Sequence, residues 1–146
     1  MFSKSCEYGL RAVIFIARES LEGRRPGSVE ISKAIDSPEA FTGKILQILK
    51  KRHIIDSIKG PYGGFYISEE EIKNISISEV VTAIDGDSVY TSCGMGLTEC
   101  DENAPCYLHE YFANIRGNLK KMLEENTLHD ILYNDNGKLK NLSLKR

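Results

Sequence analysis

The sequence predicts a mainly α-helical chain with one small β-hairpin and a long helix towards its C-terminus. Three observations carry this. Apolar residues recur at helical spacing in three separate stretches of the first fifty residues. Two β-rich runs then flank Lys59-Gly60-Pro61-Tyr62-Gly63-Gly64, a loop suited to a hairpin turn. Finally, apolar residues recur at helical spacing from Leu108 to Leu123, over about four turns.

The first stretch is opened by Ser3 or Ser5 as a cap, repeats at Leu10, Val13, Ile14, Ala17 and Leu21, and is closed by Gly23 and Pro26. A second helix follows Ser28 and turns Val29, Ile31 and Ile35 inward. Asp36-Ser37-Pro38 is a turn, with Ser37 expected as cap and Pro38 at the first helical position of a third helix. That helix directs Phe41, Ile45, Ile48 and Leu49 inward and leaves Gly43, Lys44, Gln47 and Lys51 outside. The β-rich runs are Ile54–Ile58 and Phe65–Ile67. Helices joined by a three-residue turn and followed by a hairpin make a winged helix-turn-helix, in which the third helix enters the major groove of DNA and the wing reaches backbone or minor groove. Ser68-Glu69-Glu70-Glu71 and Ser76-Ile77-Ser78-Glu79 are capping boxes that open two further helices, the second ended by Gly86.

From Cys93 to His109 the pattern stops. The stretch C-G-M-G-L-T-E-C-D-E-N-A-P-C-Y-L-H has no apolar periodicity and no anchors of its own. Pro105 then starts the long helix, whose stripe of Leu108, Phe112, Ile115, Leu119 and Met122 suits a homodimer seam, or a helix folded back on the body. Thr127 caps a last short helix through Tyr133. The Asn/Asp/Gly/Lys-rich end is expected to fray. The resulting division is 1–86 for the winged helix-turn-helix, 87–106 for the cysteine loop, 107–133 for the dimer helix and short helix, and 134–146 for a flexible tail.

The chain of 146 residues is 41% apolar and 27% charged, as ordinary globular domains are. No apolar run nears the ~20 residues of a membrane span. The N-terminus lacks a signal-peptide plan, so a cytoplasmic location is expected. The net charge of −2 hides an asymmetry. Residues 1–67 carry 11 Lys/Arg against 7 Asp/Glu, and residues 68–146 carry 8 against 14. The basic half is the one that double-stranded DNA would need. Base contacts are expected from Ser37, Glu39, Phe41, Thr42 and Lys44. Lys59 and Gly60 are expected at the minor groove, with Lys4 and Arg11 near phosphates. No phosphate loop, nucleophile elbow, catalytic carboxylate pair or C-x-x-C motif is present, so neither catalysis nor a small-molecule substrate is expected.

Four cysteines in such a chain point to metal or redox chemistry more than to disulfides. Cys93, Cys100 and Cys106 stand at C-x6-C-x5-C, with His109 three residues on and sharing a helix face with Cys106. Zinc accepts three cysteines and a histidine but favours a tight C-x2–4-C knuckle. Wide, Gly-containing gaps suit a larger iron–sulfur cluster better. Zinc and free redox-active thiols remain alternatives. Cys6 has no assigned role.

The chain resembles the Rrf-type winged-helix transcriptional regulators over nearly its whole length. The resemblance rests on E-Y-G-L-R-A at 7–12, E-I-S at 30–32, K-G-P-Y-G-G-F-Y at 59–66, I-S-E-V-V-T-A-I-D-G at 77–86 and the cysteine triplet. It implies a homodimer on palindromic operator DNA, tuned by an iron–sulfur cluster. Histidine as fourth ligand makes the site similar to the 2Fe–2S centre of the cluster regulator in this family. Glu7 stands where the nitric-oxide-sensing repressor has an acidic ligand reaching the 4Fe–4S cluster of the other subunit. Of the two, the resemblance favours His109 and 2Fe–2S. This chain departs from the cluster regulator in three places. The first cysteine gap is six residues instead of five. Lys59 replaces the usual wing arginine, and Gly43 stands in place of a base-reading glutamate, so the operator sequence does not carry over.

Overall fold

The structure, a computed structural model, describes residues 1–145. In chain order its elements are α1 (Lys4–Leu21), α2 (Ser28–Ile35), α3 (Glu39–Lys51), β1 (Asp56–Ile58), β2 (Gly64–Tyr66), α4 (Glu69–Asn74), α5 (Ile77–Asp85), α6 (Ser88–Thr91), α7 (His109–Glu125) and α8 (Leu128–Leu132). This is the mainly helical architecture with a two-stranded wing that the sequence predicts. Among the described residues, no helix is long and apolar enough to cross a membrane.

Helix α1 is the hub, packing against α2, α3, α5 and α8. Its Ala12, Val13, Ile16 and Ala17 have no exposed surface. Ser3 is the cap, its hydroxyl oxygen accepting the Cys6 N–H at 3.0 Å. The Ser3 N–H in turn donates to Asp85 Oδ2 at 2.9 Å, and its hydroxyl to Asp85 Oδ1. The end of α5 therefore sets a carboxylate at the positive end of the α1 dipole. Gly9 permits the close approach of the two helices, since a Cβ there would overlap the δ-methyl of Ile84.

The turn between α2 and α3 differs from expectation. Pro38, and not Ser37, is the N-cap of α3. The Ser37 hydroxyl pairs instead with Thr42 Oγ1. Asp36 takes the left-handed conformation at φ 54° that ends α2. Val29 and Ile48, expected inward, are exposed.

The hairpin is shorter than its β-rich runs, with Asp56 opposite Tyr66, Ser57 opposite Phe65 and Ile58 opposite Gly64. Ile54, Ile55 and Ile67 are given to the core instead. Two bonds fix the wing to the body. The Phe65 N–H donates to the Pro26 carbonyl at 2.9 Å, and the Ile67 N–H to Ser20 Oγ at 3.0 Å.

Both capping boxes are present, at Ser68 with Glu71 and at Ser76 with Glu79, and Gly86 ends α5. Helix α6 carries no apolar repeat and was not anticipated. Helix α7 begins at His109 and not at Pro105. It lies against α5 and α6, burying Leu123 and packing Leu119 on the core. Thr127 caps α8. The last segment does not fray as its composition predicts. Leu139 bridges back to Tyr133, the Lys140 N–H donates to the Leu132 carbonyl at 2.7 Å, and Leu144 is only 8% exposed. Leu142 and Leu144, together with the Tyr133–Leu139 bridge, lay this polar segment back on the body.

Candidate metal centre and nucleic-acid face

The cysteine loop leaves α6 at Ser92 and folds through short turns. The Gly96 N–H donates to the Cys93 carbonyl at 3.0 Å, with Gly96 at φ 75°. The Asn103 N–H donates to Asp101 Oδ1 at 2.8 Å, and the His109 N–H to the Cys106 carbonyl at 3.1 Å. The loop does have anchors, contrary to expectation: Cys93 is 8% exposed, and Gly94 lies directly against the Phe112 ring.

The four expected ligands come together in two pairs. Cys93 Sγ is 3.9 Å from Cys106 Sγ, and Cys100 Sγ is 3.5 Å from His109 Nδ1. Cys106 and His109, which the spacing placed on one helix face, thus take different partners, because Cys106 lies before α7 begins. Among the described residues, no group of three or more His, Cys, Asp or Glu side chains converges where one ion would sit. The Cys93 thiol is held below its ordinary value, first by the backbone N–H of Met95 and then that of Leu97, with smaller contributions from Cys106 and Arg116. A thiol so biased carries more of the thiolate, the form that acts both as nucleophile and as metal ligand.

Sequence reasoning missed Arg116. Its Nη2 lies 3.1 Å from Cys100 Sγ, and its Nη1 donates to the Ser92 carbonyl at 3.2 Å. The signal was its place seven residues after His109, two turns along the same face of α7.

Glu7 lies elsewhere. It is exposed on α1, 3.2 Å from Lys4 Nζ, in a groove lined also by Tyr8, Arg11, Asp36 and Leu144. No cysteine lines that groove. Cys6 is fully buried, facing Asp85. Burial first, then the charge and hydrogen bond of Asp85, push its thiol up to about 12.

On the helix-turn-helix, Glu39 and Lys44 are exposed, as are Lys4, Lys59 and Gly60. Tyr62 projects from the wing tip. Four expected contact residues are engaged within the body instead. Thr42 is 1% exposed and donates to the Pro38 carbonyl at 3.0 Å, so with Ser37 it braces the start of α3. Phe41 stacks edge-on against Tyr8, with ring centres 5.6 Å apart. The Arg11 guanidinium lies 4.8 Å over the Tyr8 ring and donates to the Ile35 carbonyl at 3.1 Å and the Leu144 carbonyl at 3.4 Å. A guanidinium so engaged holds α1, the α2 terminus and the tail together.

On the exposed side of α7 stand Leu108, Tyr111, Ile115 and Met122. Phe112 and Leu119, from the expected seam, are half-buried, Phe112 against the loop and Leu119 against the core.

Comparison with known proteins agrees with this geometry. The profile of the Rrf2 family, described as an iron-dependent transcriptional regulator, matches residues 2–134. A candidate HTH-type transcriptional regulator of Aquifex aeolicus is 28% identical over 134 residues, covering 90% of this chain and 91% of its own. The HTH-type transcriptional regulator IscR of Escherichia coli is 25% identical over 127 residues, covering 87% of this chain and 76% of its own. The solved structure of CymR, the global cysteine regulator of Bacillus subtilis, superposes with a TM-score of 0.72 at 23% identity, over 90% of this chain and 95% of that one. A winged fold with an outward third helix, matched along nearly its whole length by this profile, makes the chain a member of the Rrf2 family: a DNA-binding transcriptional regulator and not an enzyme.

Proposed function

We propose that this regulator binds a palindromic operator as a homodimer, and that a 2Fe–2S cluster held by Cys93, Cys100, Cys106 and His109 modulates the binding. The observation that carries the reading is the two-by-two pairing of these side chains. A tetrahedral metal with bonds to sulfur of about 2.3 Å sets its two thiolates about 3.8 Å apart. The sulfurs of Cys93 and Cys106 stand at 3.9 Å. Each iron of a 2Fe–2S cluster takes two protein ligands, while each iron of a 4Fe–4S cluster takes one. Two pairs therefore suit two irons, Cys93 with Cys106 on one and Cys100 with His109 on the other. A single zinc needs all four donors around one point, an arrangement that the two-by-two pairing favours less than two irons.

When bound, the cluster supplies reversible electron exchange and sensitivity to oxidants, nitric oxide and iron supply. The chain supplies the mechanical link. The loop joins α6, which continues the DNA-binding body, to α7. Ordering it resets α7 against that body, and through α7 the spacing of two recognition helices, which must meet successive major grooves about 34 Å apart. Leu108, Ile115 and Met122 repeat every seven residues on the exposed side of α7, with Tyr111 between the first two, and this is the pattern of a left-handed helical seam. The DNA face comprises Glu39 and Lys44 of α3, Lys59 and Gly60 of the wing, and Lys4. Such a dimer works in the cytoplasm, where thiol ligands stay reduced.

The test is protein purified without oxygen. About two irons per subunit are expected, with charge-transfer bands that Cys106→Ala and His109→Ala each abolish or alter. Operator titration of holo and apo protein should differ about 5–150-fold, the range of ordinary allosteric coupling. Equal affinities would sink the sensor reading. A His109→Ala protein with an unchanged spectrum, beside a Glu7→Ala protein that loses it, would transfer the fourth ligand to Glu7 of a second subunit and favour the 4Fe–4S, nitric-oxide-sensing alternative.

A further inference from the structure

We propose that Arg116 is the positioning residue of the cysteine loop, pinning its start and Cys100 to α7 and placing a fixed positive charge beside the ligand set. This deepens the cluster reading and rests on it for its electrostatic half, while its mechanical half stands on the metal-free chain.

The geometry has three parts. First, the guanidinium reaches two places at once: the Ser92 carbonyl at 3.2 Å through Nη1, and Cys100 Sγ at 3.1 Å through Nη2. Seven residues of loop separate those two points, so a single side chain closes the first half of it. Second, His109, Phe112 and Arg116 lie at i, i+3 and i+7, on one face of α7. Each meets the loop at a different place: His109 at Cys100, Phe112 at Gly94, and Arg116 at Ser92 and Cys100. The helix face is therefore a template along which the loop is laid. Third, among the described residues Arg116 makes no ion pair with a carboxylate, so its charge is directed at sulfur and a carbonyl.

Arginine suits this task because its planar fork presents two donors in a fixed relation, which a lysine ammonium on a flexible stem does not. The charge has a further consequence. A guanidinium stays protonated at all working pH values, and a cation beside the ligand sulfur stabilises the more negative, reduced state of whatever metal group Cys100 holds. Removing it lowers the reduction potential.

The experiment compares wild type, Arg116→Gln and Arg116→Lys, each checked by thermal melting for an intact fold. In metal-free protein, a glutamate-specific protease reports loop opening through cleavage after Glu99 and Glu102. Cleavage of Arg116→Gln should be about tenfold faster than wild type, as expected for loss of a charge-assisted bond that holds the loop closed. Arg116→Lys should fall between, since it restores charge without the fork. In cluster-loaded protein the midpoint potential should fall in Arg116→Gln and be largely restored in Arg116→Lys. Equal cleavage of wild type and Arg116→Gln overturns the positioning role. Altered cleavage with an unchanged potential overturns the electrostatic role. If the wild type takes up no cluster, the proposed sensing function fails, and the cleavage comparison still decides what Arg116 does.

Discussion

Cys6 is a thiol with no exposed surface, facing Asp85 at the point where α1 and α5 are tied together. Burial and that carboxylate push its folded value up to about 12, above the ordinary thiol of the unfolded chain. The sign follows directly. As pH rises past about 9 the unfolded chain releases this proton and the folded chain keeps it, so stability falls. The slope from this one group is at most about 1.4 kcal/mol per pH unit. Urea unfolding between pH 8 and 10 should show it in wild type and not in Cys6→Ala; parallel curves would refute it. Gly64 is a second sensitive position. At φ 150°, with the Arg25 carbonyl where a Cβ would sit, it has no room for a side chain. Gly64→Ala should cost at least ~1–3 kcal/mol from backbone strain and loosen the wing, lowering operator affinity; denaturant melts and operator titration measure the two effects. Neither residue's importance was legible in sequence, because each depends on a neighbour far along the chain.

At the scale of elements, what was legible was whatever local chemistry decides. Ser3, Ser68, Ser76 and Thr127 cap helices because a hydroxyl beside free N–H groups meets that need wherever the chain goes. Ser76→Ala should therefore destabilise by about 1 kcal/mol in chemical denaturation. Such reasoning fails where tertiary contacts outbid local ones. Ser37 had the right residue type for a cap, yet its hydroxyl was taken by Thr42. The tail read as polar and loose, and Leu142 and Leu144 with the Arg11 guanidinium hold it down. In the candidate metal centre the four side chains could be singled out from spacing, whereas their pairing could not. Cys93 meets Cys106 across the loop because α6 and α7 lie side by side. On the wing, Lys59→Ala should weaken operator binding and reduce the salt slope by roughly 0.9, the value for one phosphate contact. An unchanged slope would remove Lys59 from the DNA face.

For the whole molecule, the exposed seam of α7 predicts an oligomeric state. Ile115, at 56% exposed, and Met122 contribute nothing to the subunit's own core. Ile115→Glu combined with Met122→Glu should leave the subunit folded and make it monomeric in sedimentation, with operator binding weakened. Leu119 is unsuitable for this purpose because it packs inward. The central place of α1 has one more consequence, which concerns how the protein is made. This helix leaves the ribosome before every element it packs against, and its apolar face is closed by α5 and α8, which arrive some sixty and a hundred residues later. Until then α1 has only α2, α3, the wing and α4 to shelter it, and the nascent chain exposes apolar surface that chaperones bind. The cysteine loop lies between α6 and α7, so its three thiols emerge before His109 and Arg116, and on the proposed reading a cluster would be completed only once α7 has followed them.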